Sequence, residues 1–352
     1  MRSALGLMLA SVVAAIVIAG VWFWTSSPRA DAAPPQTTAA AKAEPLPAAA
    51  AKQAARDDVE TTAALSKRAD ASQPAAPAAA PAPAAPAPVA AAPRCANPDA
   101  LGISRTVVVD TTGGPGFGFL QYKQYDFLTD HEVVLTFDDG PWPTTPAVLK
   151  ALADECTKAV FFPIGLHTTY HPDILRQVAA AGHTIGAHTW SHAHLASKKL
   201  TEQQAKDEIE KGFSAVKLAL GANPAPFFRF PALAHTPATT AYLGTRNIAM
   251  FSVDVDSNDF KSKSSDEVIN NVMTKLDKEH KGIILMHDLQ KHTAQALPTL
   301  LRKLKAGGYK VVWMKAKTQI ETLPEYDAMM AKTEKPIATG RPIGNVVQTI
   351  AE

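Results

Sequence analysis

Cysteine is nearly absent, with two residues in 352, Cys95 and Cys156. Neither has a CxxC partner or a spacing of metal-site type, so a cysteine-built zinc centre is excluded. In an oxidising compartment the pair can close one disulfide, tying the start of a domain to the end of its first core helix; two separate thiols are the other reading. Charge of one sign is equally scarce. The net charge is +2, and no dense Lys/Arg run appears beyond short pieces such as Lys261 to Lys263. That excludes the concentrated basic patch of a nucleic-acid-binding surface. An HExxH stretch is missing too, which removes the glutamate base of a zinc protease.

What is present changes sharply along the chain. An apolar run from Ala4 to Trp24 follows Met1 and Arg2 without an internal charge. A secretory core needs about 7–15 apolar residues and a spanning helix about 20. The run has the spanning length, while Ala30-Asp31-Ala32 offers a small-x-small cleavage pattern. Residues 1–32 therefore read as a signal peptide or a signal anchor. The rest of the chain is expected outside the cytoplasm, anchored in the inner membrane and facing the periplasm, or released if the segment is cleaved. If it is retained, Trp22 and Trp24 sit at the outer interface. Twelve of the 27 prolines then fall between Pro28 and Pro93, in a stretch dominated by alanine. Such a stretch removes backbone donors and has little apolar area to offset the entropy of ordering, so 33–94 reads as a disordered linker, semi-rigid over Pro74 to Pro93.

From Cys95 the composition is that of a globular domain, long enough for one large α/β core. Strands are predicted at Val133 to Phe137, Ala159 to Phe162, Thr184 to Ala187, Phe227 to Phe230, Ile248 to Val253, Ile283 to Met286 and Lys310 to Trp313. Helices at Pro146 to Cys156, Pro172 to Ala181, Thr201 to Leu220, 238–245, 265–280 and 293–306 separate them. Alternation of this kind argues for a parallel sheet covered by helices, and about seven such units closing on themselves make a barrel. The domain is read as 95–320 with its core at about 131–315, and 321–352 as a C-terminal tail.

Chemistry-bearing residues should then follow strands. Asp138-Asp139-Gly140-Pro141 does, although alone it is a good turn sequence. His188 and His192 follow another strand; an i, i+4 pair on one helical turn is a common way to present two imidazoles to a metal. A carboxylate from elsewhere must complete such a site. Arg229-Phe230-Pro231, Asp254 to Phe260 and Leu285-Met286-His287-Asp288 close three further strands. Each has a bland reading: an ion-pair arginine, a turn aspartate, a core histidine. Five elements after five successive strands carry the signal.

Thr136 to Pro141, His188 to His192, Arg229-Phe230-Pro231, Asp256 to Phe260 and Leu285 to Asp288 resemble the five ordered motifs of NodB-type polysaccharide deacetylases, carbohydrate esterase family four. The resemblance covers about 131–315 and implies a distorted (β/α) barrel. It implies a metal triad of Asp139, His188 and His192, holding a divalent ion, zinc first, with cobalt and other divalent ions as alternatives. It makes Asp138 the general base, with Arg229 orienting it, and His287 the general acid, with Asp259 orienting that. It places the backbone of Ala232 at the developing oxyanion and Leu285 against the acetyl methyl group. Two positions depart from the pattern: Ala232 stands where the family usually has an aromatic residue, and Phe260 where tryptophan is typical.

The expected activity is hydrolysis of N-acetyl groups on an amino-sugar polymer or oligomer, peptidoglycan or chitooligosaccharide-like. An O-acetyl esterase of the same family and a catalytically silent glycan-binding protein of the cell envelope are the alternatives. The expected partners are an acetylated glycan and, through the N-terminal segment, a membrane. Nothing in the sequence points to a protein partner or to nucleic acid.

Overall fold

In the computed structural model the described residues are 95 and 97–333. The signal-or-anchor segment, the linker and the end of the chain lie outside them. Among the described residues no helix is long and apolar enough to cross a membrane.

Strands β1 (Arg105–Val109), β2 (Gly116–Phe117) and β3 (Glu132–Asp138) come first. Then follow α1 (Thr145–Asp154), β4 (Val160–Phe162), α2 (Gly165–Tyr170), α3 (Pro172–Ala180), β5 (Thr184–Ile185) and α4 (Glu202–Leu220). Next are β6 (Phe227–Phe228), a 3-10 turn at Pro231–Leu233, α5 (Pro237–Thr245), β7 (Ala249–Phe251), β8 (Val255–Asp256) and α6 (Ser265–Glu279). The order ends with β9 (Gly282–His287), α7 (Lys291–Ala306), β10 (Lys310–Ala316) and α8 (Pro324–Thr333).

Every strand pairing is parallel, as expected when helices cross between strands. β3 lies between β9 and β4, β4 pairs with β5, and β9 pairs with β8. A single bridge, Ala187 to Phe228, leads from β5 to β6, which pairs with β7. Seven parallel strands, β3 to β9, thus follow one another, and among the described residues no ladder joins β7 to β8. β10 pairs with the first two residues of β3 and carries β1 on its other side; β2 pairs with β7.

Residues 95–130, for which the family motifs gave no account, therefore supply two strands. Helix α8, within the segment expected to be a tail, packs on α4 through buried Tyr326 and Met330 and an ion pair between Lys217 and Asp327 at 2.7 Å. Cys95 and Cys156 are joined in a disulfide, so the start of the domain is tied just past the end of α1.

The apolar pattern of β3 explains the layering. All seven residues are buried. Val133, Leu135 and Phe137 pack in one cluster with Val148 and Leu152 of α1 and Leu297 and Leu300 of α7. Val134, one pleat across, packs in a second cluster with Val160, Phe162, Phe227, Phe251 and Ile283. Because successive side chains alternate between faces, Thr136 and Asp138 share the face of Val134. That face ends in polar residues, and there the site is built. Truncating Phe162, fully buried, to alanine would cost about 3–5 kcal/mol.

Candidate active site

The predicted residues converge on one end of the sheet. Asp138 is the last residue of β3, His188 follows β5, Arg229 follows β6, Asp259 and Phe260 follow β8, and His287 ends β9. These are carboxyl ends of parallel strands, where the chemistry of such sheets sits. A cavity of about 410 Å³ is lined by Asp138, Asp139, His188, His192, Ala232, Phe260, Leu285 and His287, together with Phe230, Leu233 and Asp256. Arg229 and Asp259 stand behind the wall, both buried.

Strand alternation would send Asp138 and Asp139 to opposite faces, and that expectation does not hold. Both line the same cavity. Asp139 lies just past the strand with φ of 73°, a left-handed conformation that aspartate tolerates better than most residues. This turn brings its carboxylate back to the face of Asp138. Asp139 Oδ1 lies 3.4 Å from His188 Nε2 and 3.3 Å from His192 Nε2.

The histidine pair also differs from expectation: His188 to His192 form no helical turn. Thr189 and His192 both have positive φ, 64° and 59°, and the segment is a loop. Neighbouring backbone shapes it, since Gly165 N–H donates to Thr189 O at 2.9 Å and Leu166 N–H to Trp190 O at 2.8 Å. Ala232 and Leu233 are left-handed as well, at 53° and 56°. Sparsely populated conformations gathered at one place are a mark of a functional site, where surrounding structure holds them.

Electrostatics separates the groups. His188 is buried, and burial holds its imidazole well below the ordinary range, at about 3, so it is neutral at physiological pH. Its Nδ1 faces Arg229 O at 2.7 Å, so the proton belongs on Nδ1 and the Nε2 lone pair is directed at Asp139. Asp139 Oδ1 is buried and has no hydrogen-bond partner. A neutral imidazole nitrogen, a second imidazole and an unpartnered carboxylate oxygen, mutually within 4.8 Å, are the donor set that suits a divalent ion such as zinc.

Arg229 is completely buried. Its Nη1 donates to Asp138 Oδ1 and to Thr136 Oγ1, both at 2.8 Å, and its Nη2 donates to Ser252 O at 3.1 Å. Its guanidinium lies over the Phe162 ring, 4.6 Å from the centroid. Burial nevertheless pushes the Asp138 carboxyl above its ordinary range, against the opposing pull of Arg229. Asp138 Oδ2 remains 3.9 Å from His188 Nε2.

On the other side, His287 Nδ1 donates to Asp259 Oδ1 at 2.6 Å, and the His287 backbone N–H donates to Asp259 Oδ2 at 2.7 Å. Thr293 Oγ1 donates to the same carboxylate. Burial alone would lower His287; the hydrogen bond and charge of Asp259, with Asp139 and Asp138 beyond, outweigh it and raise the imidazole to about 9. Its Nε2 points toward the cavity, 3.9 Å from Asp139 Oδ2. The Phe260 ring, half exposed, meets His287 edge-on at 5.7 Å.

Asp288, Gly140 and Asp256 lie inside the five motifs without an assigned role, and His167 carries no signal in the sequence. Asp288, wholly buried, accepts from Thr145 Oγ1 at 2.5 Å, and burial raises its carboxyl to about 7. A Cβ on Gly140 would fall 2.1 Å from Asp288 Oδ2, so only glycine fits beside it. His167 Nδ1 donates to Asp139 O at 2.6 Å. Asp256 is a further carboxylate on the cavity wall.

Comparison with known proteins agrees with this geometry. Residues 128–249 match the polysaccharide deacetylase family. A peptidoglycan-N-acetylglucosamine deacetylase of Bacillus cereus is 32% identical over 205 residues, covering 56% of this chain and 72% of that protein. Its counterpart in Listeria monocytogenes is 33% identical over 185 residues, covering 52% of this chain. The chain spans only 38% of the length of that relative. The solved structure of a peptidoglycan deacetylase from Bdellovibrio bacteriovorus superposes with a TM-score of 0.55 at 33% identity, covering 61% of this chain and 59% of that one. The chain belongs to the polysaccharide deacetylase family, carbohydrate esterase family four.

Proposed function

We propose that this protein is a metal-dependent hydrolase that removes N-acetyl groups from an amino-sugar glycan, peptidoglycan first. The observation that carries the reading is the buried Asp139 Oδ1, without a hydrogen-bond partner and 3.4 and 3.3 Å from two imidazole nitrogens. The similarity to two deacetylases of peptidoglycan N-acetylglucosamine, at 33% and 32% identity, supports the polymer.

Asp139, His188 and His192 would hold the ion. A divalent ion there supplies Lewis acidity toward the acetyl carbonyl and makes a water acidic near neutral pH. Asp138 presents Oδ2 to the cavity while Arg229 holds Oδ1, so it is set to take the proton of the attacking water. The backbone N–H of Ala232 donates to the carbonyl oxygen as negative charge gathers on it; one such donor is worth about 10² to 10³ in rate. His287, kept protonated by Asp259, gives its Nε2 proton to the departing amine, which leaves poorly as an anion. Leu285, on the cavity wall, offers an apolar contact for the acetyl methyl group. Ala232, in place of an aromatic side chain, offers no ring face to a sugar, so the exposed phenyl ring on this wall is that of Phe260.

The same reading places the domain outside the cytoplasm. The Cys95–Cys156 disulfide is at home in an oxidising compartment, and the apolar run from Ala4 to Trp24 supports export.

The test is acetate release from N-acetylglucosamine oligomers and from peptidoglycan, before chelation, after it, and with zinc restored. Release that disappears on chelation and returns with zinc is expected. A metal-loaded protein that binds glycan yet frees no acetate would sink the reading. Release from O-acetylated xylan alone would move the reaction to an ester.

A further inference from the structure

The two histidines of the proposed metal triad are fixed in different ways. His188 is buried and anchored through Nδ1 to Arg229 O, at the foot of β6. His192 is four residues further along a loop, its side chain 42% exposed, with left-handed backbone. Nothing in its own segment repeats, so no helical ladder sets its position. The ordering has to come from what the loop rests on.

It rests on α4. Glu208 O accepts from Trp190 N–H at 2.8 Å. The Glu208 carboxylate then takes both donors of the next residue: Oε2 accepts from Ser191 N–H at 2.8 Å and Oε1 from Ser191 Oγ at 2.9 Å. One helical turn on, Gly212 lies directly under the same loop. A Cβ there would fall 2.7 Å from the Thr189 carbonyl carbon and 2.8 Å from its oxygen. Glycine in a helix interior costs about 1 kcal/mol relative to alanine, and close approach of another backbone is a physical reason to accept that cost. Residues four apart share one helix face, so Glu208 and Gly212 form one seat for 189–191, directly before His192.

We propose that Glu208 is a positioning residue for the metal centre: through Ser191 it fixes the loop that delivers His192, while Gly212 lets that loop come close enough. Charge assists the arrangement, since a carboxylate accepting two donors makes stronger bonds than a neutral acceptor. Partners that orient metal ligands without touching the ion typically govern affinity by about 10- to 100-fold. The inference rests on the metal reading above.

The experiment measures zinc dissociation constants of the full chain by chelator competition, with the melting temperature of the metal-free protein alongside. Glu208→Ala is expected to weaken zinc binding by about 10- to 100-fold while metal-free melting shifts little. Glu208→Gln, which keeps one acceptor oxygen, should recover part of the loss. Ser191→Ala, which keeps the backbone N–H, should lose about threefold. In a His192→Ala background Glu208→Ala should change zinc affinity by less than about twofold, because the clamp then has no ligand to place. If Glu208→Ala leaves zinc affinity unchanged in the otherwise native chain, or weakens it equally with His192 removed, the clamp is wrong. If Glu208→Ala does not fold, the Ser191→Ala and Glu208→Gln measurements decide alone, and unaltered affinity in both overturns the proposal. A native chain that binds no zinc overturns the metal reading and the clamp together, whereas native binding with insensitive variants overturns only the clamp.

Discussion

Strand β3 carries a carboxylate at each end, and each meets an arginine, yet the two pairs behave in opposite ways. At the entry, Glu132 takes Arg105 on both oxygens, at 2.7 and 2.6 Å, and adds the Thr129 N–H at 2.8 Å. The side-chain hydrogen bond from Arg105 is the main reason its carboxyl falls to about 2. At the exit, Asp138 receives Arg229 on one oxygen only, at 2.8 Å, and burial raises its carboxyl above the ordinary range. The entry pair is closed, with its acceptors used by the fold. The exit pair leaves Asp138 Oδ2 facing a cavity, beside an Asp139 oxygen with no partner at all. A buried arginine alone does not make a carboxylate reactive; what counts is whether acceptor capacity remains for a substrate or an ion.

The largest effect is expected at the open end. Asp139→Ala should abolish zinc retention, read by metal analysis after gel filtration, and acetate release with it. Asp138→Asn should retain zinc and lose about 10²- to 10⁴-fold in turnover, the usual worth of a positioned base. An active Asp138→Asn protein would erase the proposed difference between the two ends.

Arg229→Met should cost about 3–5 kcal/mol in denaturant unfolding, because it strands the buried Asp138 charge. A double change with Asp138→Asn should recover much of that loss; no recovery would mean that Arg229 contributes mainly through packing on Phe162.

The smallest effect belongs to the closed end. Arg105 is 38% exposed while Glu132 is buried, so solvent screens the pair from one side only, and Glu132→Gln should cost about 1.5–3 kcal/mol near neutral pH. Acetate release per folded molecule should not change. The sign of the pH effect follows from Glu132 lying at about 2 when folded against 4.5 for an ordinary glutamate. The unfolded chain binds the proton first, so the contribution is complete above about pH 5 and fades as pH falls toward 2. Native and Glu132→Gln proteins should therefore converge in stability on acidification; a gap that widens would contradict the pairing.

The sequence made the strand–helix alternation legible, because β3 and β9 are mainly apolar runs and α4 has a clear apolar stripe with a Thr201–Gln204 capping box. Short elements escaped it. β2 and β8 have two residues each, too few for a period to register, and Gly165–Tyr170 of α2 has no apolar repeat. Within the site, residues standing directly after strands were readable: Asp138, Asp139, His188, Arg229, Asp259 and His287. Glu208 and Thr293 were not, since each acts from a different element on a partner that only folding brings near; Asp288 stands in the fifth motif, but its contact with Thr145 does not show in the sequence.

The sequence by itself determined which chemistry is available: two adjacent carboxylates, a spaced histidine pair, a late histidine, and strand ends to carry them. Tertiary structure decided how these groups divide the work. Asp139 swings to the face of Asp138 through a left-handed turn, and His192 is delivered by a loop resting on Glu208 and Gly212 rather than by a helix. Both outcomes depend on long-range contacts that overrule local preference, because a backbone conformation unfavourable in isolation persists where packed neighbours leave no other.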